Sequence, residues 1–143
     1  MFGIIFSIIS GIAMSFQGVF NTKLGDKIGI WETNTLVQVT GLIITLIITA
    51  FFGKGDFREL QNTSKIYMLG GVLGVIIVFT VMMGIGSLGP TYSIAIILVS
   101  QLIAAAVIDY FGLFGCEKLN FTLKEYIGVA IMIIGIIVFK WKR

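Results

Sequence analysis

"SQLIAAAVIDYFGLFG", residues 100–115, decides how the rest of the chain is read. Most of the stretch suits lipid, yet it carries Gln101 and then Asp109. Polar and ionisable side chains are expensive inside a bilayer, so each one there marks a functional position by default. The question is therefore whether the whole chain lies in a membrane. Of its 143 residues 57% are hydrophobic and 12% charged, with a mean hydropathy of +1.06. A soluble domain carries about a quarter charged residues. Halved charge and apolar residues gathered in long blocks describe an all-α integral membrane protein, with residues 1–143 forming a single transmembrane domain.

Composition also removes several functions. The chain has no His, which excludes a histidine base and histidine-ligated metal. The lone cysteine, Cys116, excludes an internal disulfide and a cysteine-cluster metal site. No phosphate-binding glycine loop, nucleophile elbow or catalytic carboxylate pair is present, so an enzyme is not expected, and neither is a cofactor. The net charge of +3 is spread over short connections and tails, which points to loop charges that set orientation and away from nucleic acid. The apolar N-terminus lacks a basic start and reads as a retained helix.

A membrane helix needs about 20 mostly apolar residues. Five stretches are expected to span: residues 2–20, 31–52, 66–87, 91–114 and 126–139. "NTKLGDKIGI", "GKGDFRELQNTSK", "LGP" and "GCEKLNFTLK" connect them. The only proline, Pro90, follows Gly89 and can open a helix without losing a needed N–H. Five spans put the termini on opposite sides. One face then holds Lys54, Arg58, Lys65, Lys118 and Lys124, and the other holds Lys23, Lys27, Lys140, Lys142 and Arg143. Five basic residues on each side leave no positive-inside bias. Either one loop dominates, or the chain inserts both ways and pairs with an inverted second copy, an architecture that transporters reach through inverted repeats.

The intramembrane polar residues follow a spacing. Gln17 and Asn21 are four apart, as are Asn34 and Gln38, so each pair lies on one helical face. These four amides either line a polar passage or hold helices together. Gln101, followed by three alanines, offers a mid-membrane ligand contact or the same kind of interhelical bond. Asp109 is expected about 9 Å inside the end of a helix that continues to Phe114, the alternative being an interfacial cap on a helix that ends at Asp109. In an inverted pair it would meet the partner's amides and favour a cation or carry a proton through a raised pKa. Gly70 with Gly74, and Gly128 with Gly135, are candidates for close helix packing, the second pair at a dimer seam or in ordinary packing within the chain.

"QGVFNTKLG", "SQLIAAAVIDYFGLFG" and "GVAIMIIGIIVF" together resemble the small YdcZ-type branch of the drug/metabolite transporter superfamily, over nearly the full chain. The resemblance implies five helices in the cytoplasmic membrane, occurring as dual-topology chains, as oppositely oriented paralogues or as fused repeats. Small multidrug exporters of the same superfamily carry a membrane-embedded Glu in helix one. Here the first apolar stretch has no acid and Gln17 is its most polar residue, so that proton site does not transfer. The leading expectation is a half-transporter for a small polar or amphipathic solute, acting through alternating access. A small dual-topology channel and a lipid-binding or scaffold subunit are the alternatives.

Overall fold

The computed structural model describes residues 2–119 and 122–141. Five α-helices account for most of them: α1 (Phe2–Ile28), α2 (Ile30–Phe52), α3 (Gly70–Leu88), α4 (Pro90–Phe111) and α5 (Leu123–Lys140). Short 3-10 turns at Phe57–Asn62 and Lys65–Leu69 lead into α3, and another at Leu113–Gly115 follows α4. Among the described residues, four segments are long and apolar enough to cross a membrane: Phe2–Ile28, Ile30–Phe52, Lys65–Leu88 and Pro90–Phe111. The fifth expected span is not among them. α5 has 18 residues and includes Lys124, Glu125 and Lys140, which leaves a shorter uncharged middle.

Two expected boundaries move, each for a local reason. α1 does not stop at Phe20 but continues to Ile28, so most of the expected first connection is helical. Its 27 residues span about 40 Å, more than the roughly 30 Å hydrocarbon layer, so the charged end emerges from lipid without unwinding. The reversal falls on the single residue Gly29, at φ 102° and ψ 153°. Glycine is the residue that takes such a φ without strain. At the other boundary α4 ends at Phe111, not Phe114, because Gly112 adopts the left-handed conformation (φ 63°, ψ 40°) and its N–H returns to the Asp109 and Ile108 carbonyls. α4 begins as the sequence predicts, with Gly89 before it and Pro90 in its first turn. Asn120, Phe121, Lys142 and Arg143, which belong to the expected fourth connection and tail, lie outside the described residues.

The chain forms two compact units, Met1–Ser87 and Leu88–Arg143. The first contains α1, α2 and nearly all of α3; the second contains the α4–α5 hairpin. Burial runs opposite to that of a soluble protein. Among the described residues, the buried hydrophobics are Met82, Ile85 and Val99, while Asn21, Thr22, Thr33, Asn34 and Ser93 are buried polar residues. Phenylalanines, isoleucines and leucines along all five helices are exposed. In water such a surface would aggregate. In lipid it is matched to its solvent, and the polar groups are the ones that need shelter.

Candidate functional site

Inside the first unit, small residues on α1 let the other helices come close. An added Cβ at Gly18 would meet Ile85 Cδ1 at 2.7 Å and Val81 Cγ1 at 3.1 Å. One at Gly25 would touch Met82 Sδ at 3.6 Å and Thr33 Oγ1 at 3.8 Å. Gly86 of α3 plays the reciprocal part, since a Cβ added there would lie 3.8 Å from Thr22 Cγ2. Trp31 of α2 stacks on Phe79 of α3, with ring centroids 4.8 Å apart and an interplanar angle of 11°. This packing encloses the polar residues.

Asn34 is 2% exposed, and its Nδ2 donates to the carbonyl of Val75 on α3 at 2.9 Å. Gln38 follows one turn later; its Nε2 donates to Asn34 Oδ1 at 3.5 Å. Gly74 leaves room for that amide, because a Cβ there would sit 3.6 Å from Gln38 Nε2. Asn34 therefore ties α2 to α3, the role expected of an interhelical polar contact, and Gln38 supports it from within α2. Asn21 is buried on α1, whereas Gln17, one turn earlier, is exposed. The pair shares a face only loosely: four residues advance about 40° past a full turn, enough to carry one side chain inward and leave the other outside.

Two buried hydroxyls escaped the sequence reading. Thr22 Oγ1 donates to the Gly18 carbonyl at 2.8 Å, within its own helix. Thr33 is fully buried, and its Oγ1 has no hydrogen-bond partner among the described residues. Other hydroxyls in the helices, such as Ser15, Thr40, Thr45, Thr80 and Ser100, satisfy themselves on a carbonyl one turn back. Among the described residues Thr33 Oγ1 is the buried side-chain polar atom left without a partner, and an unsatisfied buried hydroxyl costs about 1–3 kcal/mol. The only signal in the sequence is its position beside Asn34, since a threonine alone fits a lipid-facing helix. In the same unit, a cleft of about 270 Å³ has Thr22, Gly25 and Asp26 on its α1 wall and Met82 and Gly86 on its α3 wall. Asp26 is exposed there and lies 3.7 Å from Lys23. Helix one thus does carry an acid, but at its charged end and not in the apolar stretch.

In the second unit, Gln101 is exposed on α4 and makes no hydrogen bond among the described residues. Asp109 is half-buried in the last turn of α4, about 3 Å from its end by helical rise and not the expected 9 Å. Its backbone carbonyl accepts the N–H groups of Gly112 at 3.3 Å and Leu119 at 2.9 Å, which folds the connection onto the helix end. Ser93, also missed in the sequence, is buried on α4. Gly70, Gly128 and Gly135 face open space, with nothing within 4 Å of an added Cβ.

Long helices, apolar outside and polar within, define a multi-pass membrane protein. Residues 2–138 match the family model described as "Putative inner membrane exporter, YdcZ". The chain belongs to this family, within the drug/metabolite transporters, and is a multi-pass protein of the cytoplasmic membrane. No curated protein and no solved structure shows a significant match. Membership supports a transporter role and not an enzymatic one.

Proposed function

We propose that this chain is half of a transporter, completed by an inverted second copy, that moves a small polar or amphipathic solute by alternating access. The observation that supports the reading is the inverted burial of the first unit: Asn21, Thr22, Thr33 and Asn34 lie inside while the apolar side chains face out. A polar interior sheltered from lipid is what a polar solute needs. Gln38 and the cleft beside Thr22 extend the site, and the orphaned Thr33 hydroxyl, buried outside that cleft's lining, supplies a hydrogen bond that a solute completes once the helices part.

α5 serves as the fifth span. Its charges sit at its two ends, where long side chains reach the interface. The termini then lie on opposite sides, and the balanced basic residues favour insertion in both senses. Inverting a second copy carries its polar cluster to the membrane face at which the first copy's Asp109 sits. Gln17 and Gln101, exposed amides in mid-helix, gain partners from the second copy or the solute.

The test is retention of a mixture of small polar solutes by liposomes reconstituted with the full chain, read by mass spectrometry. One or more solutes should leave in a saturable way, and Asn34→Leu and Thr33→Val should largely abolish the loss. Release of every small solute without saturation, or saturable release unmoved by both variants, contradicts the reading.

A further inference from the structure

The second unit carries a feature that solute transport does not use. Between α4 and α5 runs an apolar groove of about 250 Å³, formed by Thr91, Ala95 and Leu98 on α4 and Met132, Gly135 and Ile136 on α5. Residues 91, 95 and 98 recur at one helical face, as do 132, 135 and 136, so the groove follows the helix axes. Gly135 forms an open part of its floor, with nothing within 4 Å of an added Cβ. At its upper end the groove joins a second cavity of about 170 Å³ at the Gly89–Pro90 turn, and Thr91 and Phe139 line both. The ε-ammonium of Lys140 stands in this cavity, 4.2 Å above the centroid of the Tyr92 ring.

The charge at this end has one sign. The first turn of α4 has no acidic residue. No Asp or Glu occurs in residues 88–108 or 126–143, while Lys142 and Arg143 follow Lys140 in sequence. Elsewhere in the unit the signs are mixed, with Asp109, Glu117, Lys118, Lys124 and Glu125 at the opposite end of the hairpin. A cation seated over an aromatic ring keeps its N–H groups available to an anion, and juxtamembrane lysines attract anionic lipid headgroups.

We infer that the α4–α5 hairpin binds one anionic phospholipid, its phosphate at Lys140 and Tyr92 and an acyl chain along the groove past Leu98 and Gly135. The cavity that holds the Lys140 ammonium and the apolar groove that runs from it have the order and chemistry of a lipid's two parts. This assignment gives Gly135 to lipid and is independent of which solute the first unit moves.

Binding is read by native mass spectrometry of the detergent-purified full chain with dioleoyl phosphatidylglycerol and, separately, dioleoyl phosphatidylcholine. The wild-type chain should retain the anionic lipid about five-fold better, the effect of one juxtamembrane charge. Lys140→Gln should erase the preference and Lys140→Arg should keep it. Gly135→Leu, which fills open space, should weaken both lipids equally without changing helix content. Four results would overturn the inference. The lipids could bind alike, or the preference could survive Lys140→Gln. Inorganic phosphate could displace the anionic lipid at equal concentration, marking a free-anion site. Gly135→Leu could leave lipid binding intact while converting a dimer to monomer, which gives the groove to a second copy.

Discussion

Gly18 and Gly25 of α1 are seven residues apart, and so are Gly128 and Gly135 of α5. The spacing is identical and the use is opposite. In the first unit the glycines are pressed against Ile85, Val81, Met82 and Thr33. In the second, neither has an atom within 4 Å of an added Cβ. A glycine repeat therefore fixes only a face. What fills that face depends on the elements opposite it: α2 and α3 in the three-helix unit, and open space in the hairpin. The first unit buries polar residues, and its close packing keeps them from lipid; the second leaves an apolar channel with a cation at its end.

The largest effect that would sharpen this contrast is Gly18→Leu. It forces a side chain onto Ile85 and Val81 and should cost about 1–3 kcal/mol or more by overpacking, seen as a drop in the thermal midpoint in detergent. Gly128→Leu, at the same kind of position in the other unit, should leave that midpoint essentially unchanged. Equal losses in the two variants would break the comparison.

Next in size is Asn34→Ala, which removes the bond to the Val75 carbonyl and the acceptor for Gln38. A loss of about 1 kcal/mol is expected, typical of interhelical polar contacts in membranes. Thr33→Val should behave differently. Because the hydroxyl has no partner, its removal should leave stability unchanged or raise it by about 1 kcal/mol, while solute transport falls. A destabilised Thr33→Val protein would mean that the hydroxyl is satisfied after all.

The smallest effect concerns the start of α5. The Glu125 carboxylate accepts the Thr122 hydroxyl and the Thr122 N–H, the latter at 2.7 Å, and these bonds hold its pKa below the ordinary value of 4.5. A folded value below the unfolded one means the stabilisation is present above about pH 4.5 and fades as pH falls through the lower folded value. Helix content of the chain should therefore decline slightly on acidification below that range. Glu125→Gln should flatten the decline.

Much of this was legible in the residues. α2, α3 and the Gly89–Pro90 start of α4 follow from apolar length and turn chemistry, and the four-residue spacing of Asn34 and Gln38 puts them on the shared face, though not in the hydrogen bond they make there. The end of α1 was hidden because charge stops a hydropathy reading without stopping a helix: Lys23, Asp26 and Lys27 are all helical. The end of α4 turned on the backbone of Gly112; both glycines of "FGLFG" take a positive φ, and the sequence does not announce that the first of them ends the helix. Gln17 and Asn21 show the limit of spacing, since a shared face is broad enough to hold one buried and one exposed amide. Thr22 and Thr33 were missed because a helical hydroxyl can bond its own backbone even in lipid, so burial leaves little mark in the sequence beyond Thr33's place beside Asn34.

The central claim, a half-transporter completed by an inverted copy, is tested most directly at Cys116, which is exposed in the connection after α4. Intact cells are treated with a membrane-impermeant maleimide, with detergent-treated cells giving the total. Labelling of roughly half the protein from outside is the predicted result, as expected when neither face carries an excess of basic residues. Labelling of all or none, with the thiol reactive in detergent, would show one fixed orientation and contradict the antiparallel homodimer.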